Sequence, residues 1–191
     1  MGSRRAFLEC RSLHEILIPL VVKAIKIQAF IRCSWLTLVN LGEGLEEIGV
    51  AAFAECTSLH EILISPAIKT IKDYAFMGCE QLTTVNLCKG LEALGHFACS
   101  YCTSLHEILI PPAVRAIKDN TFSGCSELTA VNGGEGLKEI REGGIKCTSL
   151  HEILIPNAVK TIKDRACRNC SGLMTVTLND GLEELGTCEF W

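Results

Sequence analysis

The sequence is poor in aromatic side chains, which make up only 6% of it, so Leu and Ile must supply the bulk of any core. It contains no apolar run near the roughly 20 residues that a bilayer-spanning helix needs, which argues against membrane insertion. It has no excess of positive charge. With 18 Lys and Arg against 22 Asp and Glu, the net charge is -4, which argues against a nucleic-acid partner, since phosphate neutralisation dominates such affinity. Arg4 and Arg5 are not followed by an apolar stretch, so the start is not a complete signal peptide. Ala6 stands where a myristoylation site wants Ser or Thr. Cysteine, in contrast, is abundant. Twelve in a small secreted chain would suggest a disulfide framework, but their spacing points elsewhere.

Cys10, Cys33, Cys56, Cys79, Cys102 and Cys125 recur every 23 residues. Cys147 arrives one residue early, and Cys170 is 23 further on. Units therefore start at these cysteines, with residues 1–9 as a partial unit, and the whole of 1–191 reads as one repeat domain. Counting each Cys as position zero, position 3 is Leu from Leu13 to Leu173. Position 6 is Ile or Val, and positions 12 and 15 are apolar throughout. Position 8 is Ile or Leu except at Gly133. Position 20 is Phe in Phe30, Phe53, Phe76, Phe122 and Phe190, and Cys99, Ile145 or Cys167 otherwise.

Positions 6 and 8 alternate with 5 and 7, the period of a strand with one face buried. Pro19, Gly42, Pro66, Gly90, Pro111 and Pro156 then break the chain, because proline has no N–H to give to a ladder. Each unit is thus expected to hold one strand of about four residues and an irregular or short-helical return path. One unit cannot bury its apolar side alone, so units must stack into a solenoid with one continuous core. Helical repeats need longer periods, and a propeller blade needs four strands per repeat.

The pattern Cys-x-x-Leu-x-x-Ile-x-Ile, with Ala-Phe-x-x-Cys closing the unit, is clearest from Cys56 to Cys79. It resembles the BspA-like leucine-rich repeats over nearly the whole chain. The resemblance implies a right-handed superhelix whose parallel sheet lines a concave face, and a role in adhesion or protein binding at a bacterial or protist surface. The lack of a signal and the ladder of free thiols point instead to a reducing, cytoplasmic setting. The unit from Cys125 departs from the pattern: it is one residue short and carries Gly133-Gly134 and Gly143-Gly144. It is expected to be the softest part of the stack.

Odd and even units differ. Odd units place Glu and Leu at positions 5 and 7: Glu15 and Leu17, Glu61 and Leu63, Glu107 and Leu109, Glu152 and Leu154. Even units place Leu38 and Asn40, Thr84 and Asn86, Ala130 and Asn132, Thr175 and Thr177. These side chains should point out of the sheet as alternating acidic-aliphatic and neutral stripes. Exposed leucines on one face suggest a contact surface for a protein or peptide ligand, although copying of a duplicated unit would give the same stripes. Position 13 alternates in charge (Lys23, Glu46, Lys69, Glu92, Arg115, Lys138, Lys160, Glu183), with Lys138 breaking the order. That ladder reads as register selection.

The ladder cysteines read as buried small apolar groups, not disulfides. Cys99-Ser-Tyr-Cys102 and Cys167-Arg-Asn-Cys170 lie three units apart, about 14 Å, and cannot share one metal. Cys88 and Cys188 lie off the ladder and are the candidate reactive thiols. His14, His60, His106 and His151 share position 4, but turns two apart are too distant for a common ion, and four copies of a Cys-His spacing do not make one catalytic site. No catalytic residue, metal ligand or cofactor is assigned. The chain shows no polar caps, which leaves dimerisation or a longer array through its ends as an expectation. The expected function is a protein-binding or adhesion module. The alternatives are a structural spacer or surface coat, and a metal or redox protein using the CxxC pairs.

Overall fold

The computed structural model describes residues 6–187. It is a stack of turns, each contributing two strands. In chain order these are β1 Glu15–Leu17, β2 Ala24–Ile25, β3 Leu38–Asn40, β4 Glu47–Ile48, β5 Glu61–Leu63, β6 Thr70–Ile71, β7 Thr84–Asn86, β8 Ala93–Leu94, β9 Glu107–Leu109, β10 Ala116–Ile117, β11 Ala130–Asn132, β12 Glu139–Ile140, β13 Glu152–Leu154, β14 Thr161–Ile162, β15 Thr175–Thr177 and β16 Glu184–Leu185. Every pairing is parallel, and equivalent positions of successive turns face one another. The long strands line up as one ribbon, in three ladders, and the two-residue strands as a second, in two ladders that part between β8 and β10. The second ribbon is an addition to the one strand expected per unit. It arises because position 15 is an inward Ile or Leu whose neighbour at 14 points out, giving the intermediate-then-buried pattern of β2, β4 and β6. The rest of the return path is turns, with no helix among the described residues.

The core is the set of repeat columns. Leu36, Leu59, Leu82, Leu105, Leu128 and Leu150 are fully buried in one row, with Leu13 and Leu173 partly buried at its ends. The rings of Phe7, Phe30, Phe53 and Phe76 stack nearly parallel at 5.1, 5.2 and 5.7 Å. Phe190 and Cys188 lie outside the described residues. Two corner residues in most turns adopt the left-handed conformation: position 18 (Gln28, Ala51, Tyr74, Phe97, Asn120, Gly143, Arg165) and position 22 (Glu9, Arg32, Glu55, Gly78, Tyr101, Gly124, Asn169). The Cys125 unit has no left-handed residue at the second place. Gly124 N–H still donates to Lys146 in ordinary register, and the next residue is already Cys147, so the missing residue is the second corner. The shortened turn pairs with both neighbours through β11. Gly133 leaves no empty seat either, since a Cβ there would meet the Pro156 ring at 2.6 Å.

The cysteine column is more than apolar filling. The Sγ of Cys33, Cys56, Cys79, Cys102, Cys125, Cys147 and Cys170 donates to the position-20 carbonyl of the turn before, at 2.8–3.2 Å. Six of these seven carbonyls also accept a backbone N–H from the residue three further on, so the thiol supplies the second donor to a buried carbonyl, one that an alanine would remove. No disulfide joins any of the described cysteines. Burial pushes the thiols of Cys33, Cys56 and Cys79 up, which keeps them protonated as donors. Cys170 goes the other way, because a hydrogen bond from Cys167 favours its thiolate more than burial opposes it.

Charged staples hold the second ribbon. Lys23, Lys69 and Lys160 pair with Glu46, Glu92 and Glu183 at 3.0, 3.7 and 2.9 Å, as the alternating charges at position 13 imply. Arg115, which faces Lys138, donates instead to the Gly136 carbonyl at 3.2 Å. Asp164 accepts from the Thr187 N–H at 2.7 Å and its hydroxyl at 3.1 Å, which holds its carboxyl below the usual aspartate range. A depressed folded pKa stabilises above the unfolded value and is lost as pH falls through the folded one. Asp164→Asn is therefore expected to lower the melting temperature at neutral pH, with the gap from wild type closing below about pH 4 in thermal melts across pH.

Candidate interaction surface

The long-strand ribbon positions the residues singled out above. In β5, β7, β9 and β13 the middle residue is buried and its neighbours are exposed or nearly so. Ile62, Val85, Ile108 and Ile153 fill the core from this position. That inward anchor fixes the alternation, and a one-residue slip would turn the leucines inside. The exposed rows run along the stack. One row is Glu15, Leu38, Glu61, Thr84, Glu107, Ala130, Glu152 and Thr175; the other is Leu17, Asn40, Leu63, Asn86, Leu109, Asn132, Leu154 and Thr177. Leu17, Leu63, Leu109 and Leu154 are 71%, 71%, 67% and 57% exposed, so no part of the fold uses them as core. Each aliphatic side chain sits beside an amide, and Asn40 Nδ2 donates to Glu15 Oε1 at 3.2 Å.

The ribbon is not continuous. Its ladder joins β1 to β3, β5 to β7, and β9 through β15, leaving breaks between β3 and β5 and between β7 and β9. A groove of about 310 Å³ follows the second break, lined by Thr84, Asn86, Glu107, Leu109 and Asn132. Five of the expected contact residues therefore share one depression, while those on β1, β3, β5, β13 and β15 are not part of its lining.

The other candidates for chemistry separate. His14, His60, His106 and His151 are all exposed. Their backbone carbonyls have the clearer role. Those of His14, His60 and His106 accept both the N–H and the hydroxyl of Thr37, Thr83 and Thr129 in the next turn. Among the described residues no group of His, Cys, Asp and Glu is arranged to hold a metal. No helix among them is long and apolar enough to cross a membrane. Two further residues, Ser65 and Cys88, stand at position 9, which is Pro19, Gly42, Pro111, Gly134 and Pro156 in other turns, and line a second cleft. The signal was legible as a break in the proline and glycine column, but only the stacking puts the two side by side.

Similarity to known proteins agrees with this architecture. The family model described as BspA type leucine rich repeat region, in 6 copies, matches residues 3–129 and 69–191. The leucine-rich-repeat protein of T. pallidum is 30% identical, with a TM-score of 0.68, over 77% of this chain and 69% of that one. A leucine-rich-repeat protein from Eubacterium ventriosum gives a TM-score of 0.75 at 21% identity, over 91% of this chain and 57% of its own. The pneumococcal vaccine antigen PcpA gives 0.55 at 22% identity, over 91% and 47%. The chain thus spans about half the length of the latter two. No curated protein sequence matches. With the repeat period, the parallel stack and the family match in agreement, this chain belongs to the BspA-type leucine-rich-repeat family.

Proposed function

We propose that the protein is a non-catalytic interaction module that holds a protein or peptide ligand against the exposed face of its long-strand ribbon. One observation carries this reading: four leucines, regularly spaced along that face, are more than half exposed. Such apolar area has a cost in water and is typical of contact surfaces. The intervening Glu and Asn side chains supply hydrogen-bonding groups between the leucines, which suits a backbone-rich ligand better than a purely greasy one. Leu63 and Leu109, next to the two breaks in the ribbon, are the centre of the surface. The family, and the naming of one structural relative as a vaccine antigen, fit a role in recognition.

Leu63→Asp combined with Leu109→Asp is expected to reduce capture of the partner in a pull-down at least about tenfold, as loss of interface anchors does. The melting temperature should barely move, because surface substitutions usually stay within about 0.5 kcal/mol. Unchanged capture by the well-folded double variant would leave the spacer reading in its place.

A further inference from the structure

Position 9 closes the turn after each long strand. It is proline in Pro19, Pro111 and Pro156 and glycine in Gly42 and Gly134. Two adjacent turns break this column with Ser65 and Cys88, and the last described turn does so with Asn179. Both line a cleft of about 620 Å³ at the C-terminal ends of β3, β5 and β7, beside the first break in the ribbon. Ser65 is 5% exposed, and its Oγ is the one buried side-chain polar atom among the described residues with no hydrogen-bond partner. A buried hydroxyl without a partner is rare in a folded protein and marks a place where a ligand's polar group fits. Cys88 is half-buried, its Sγ donating to the Ile68 carbonyl at 3.3 Å.

The remaining walls define the ligand's chemistry. Leu41, Leu63 and Leu87 make the apolar side. At opposite ends stand Glu43 and Lys89, both exposed and neither in an ion pair among the described residues. They occupy the same repeat position two turns apart, about 10 Å along the stack. An extended polyproline-like chain rises about 3.1 Å per residue and repeats its facing every three, so its residues i and i+3 match that span at about 9.3 Å.

We propose that this cleft binds a four-residue extended segment of a partner protein. A basic residue meets Glu43, an acidic residue three further on meets Lys89, and an aliphatic side chain between them packs on Leu41, Leu63 and Leu87. The segment's backbone amide meets Ser65 Oγ. The inference deepens the ribbon reading, because Leu63 and Asn86 belong to both the cleft and the exposed face.

The probe is a blocked tetrapeptide, Lys-Leu-Pro-Glu, titrated into the isotope-labelled chain and followed by amide NMR shifts. Saturable shifts at Ser65, Leu87 and Cys88 are expected. Replacing the peptide's Glu by Lys should weaken binding about tenfold, the scale of a specific charge contact. The Lys89→Glu variant should recover the Lys-Leu-Pro-Lys peptide. Equal binding of both peptides to wild type, or shifts elsewhere on the surface, would overturn the pocket. The two readings part cleanly in partner capture. Loss with Leu109→Asp but retention with Glu43→Lys plus Lys89→Glu keeps the ribbon and rejects the pocket. Peptide binding in the cleft with capture indifferent to Leu109→Asp keeps the pocket and rejects the ribbon.

Discussion

Phe53→Ala is expected to destabilise the fold by about 3–5 kcal/mol, the range for removing a fully buried aromatic ring. Phe53 has no exposed surface and lies between two other rings, 5.2 Å from Phe30 and 5.7 Å from Phe76. Removing it leaves both neighbours facing a void and takes the seat beside the carbonyl that receives the Cys79 thiol. The stack offers little relief. In the turn that carries Phe53, β4 pairs in parallel with β2 on one side and β6 on the other, so the hole cannot close without breaking register on one side. In a repeat array, stability is close to a sum of unit and neighbour terms, so damage at a central turn also weakens the coupling of the two halves. Urea unfolding by circular dichroism should show a lower midpoint together with a broadened transition. Phe53→Leu, which keeps most of the volume, should recover the larger part of the loss. A drop below about 1 kcal/mol for Phe53→Ala would mean that the rings are not the packed column described, given the usual cost of such truncations.

What the sequence made legible is what repetition makes legible. The leucine row from Leu13 to Leu173 and the outward Glu-Leu and Asn positions follow from period and alternation alone, because a copied turn must bury the same columns. The parts that needed coordinates are those that depend on contact between turns. The thiol of Cys79 reaches the carbonyl of Phe53, 26 residues earlier, a relation hidden in the offset between two columns. The second ribbon is two residues per turn, too short to show a period of its own. The short unit reads as a defect in the sequence, yet it omits only a left-handed corner, and Gly133 lies under the Pro156 ring. At the candidate surface, the breaks on either side of β5 and β7 cannot be read from residue types, since the same Glu-Ile-Leu strand pairs on both sides elsewhere, as β13 does. Ser65 and Cys88 were visible as substitutions. Their shared cleft was not.

Glycines at position 11 of the even units provide a graded test of how tightly the turns are stacked. Gly136→Ala is expected to cost about 2–3 kcal/mol, the range for forcing extra volume into a packed site. A Cβ there would fall inside the van der Waals radius of the Pro112 carbonyl oxygen, a backbone atom that cannot swing away, and would crowd the Arg115 guanidinium that donates to Gly136. Gly90→Ala should cost less, because its Cβ would meet the Pro66 carbonyl oxygen at 3.2 Å and the movable end of Lys69 at 3.3 Å. Gly181→Ala has the loosest backbone approach, the Asn157 carbonyl oxygen at 3.5 Å, and its tightest contact is a side-chain atom, Asn179 Oδ1, at 3.2 Å. None of the three has a positive φ, so a side chain is not strained by the backbone itself. With no backbone clash to offset it, the loss of unfolded-state freedom should make Gly181→Ala neutral or stabilising by at most about 0.4–1 kcal/mol. The sign should therefore change along one column of identical residues. Chemical denaturation of the three variants reads it directly, and a uniform cost at all three would show that glycine is kept there for its backbone freedom and not for the approach of the preceding turn.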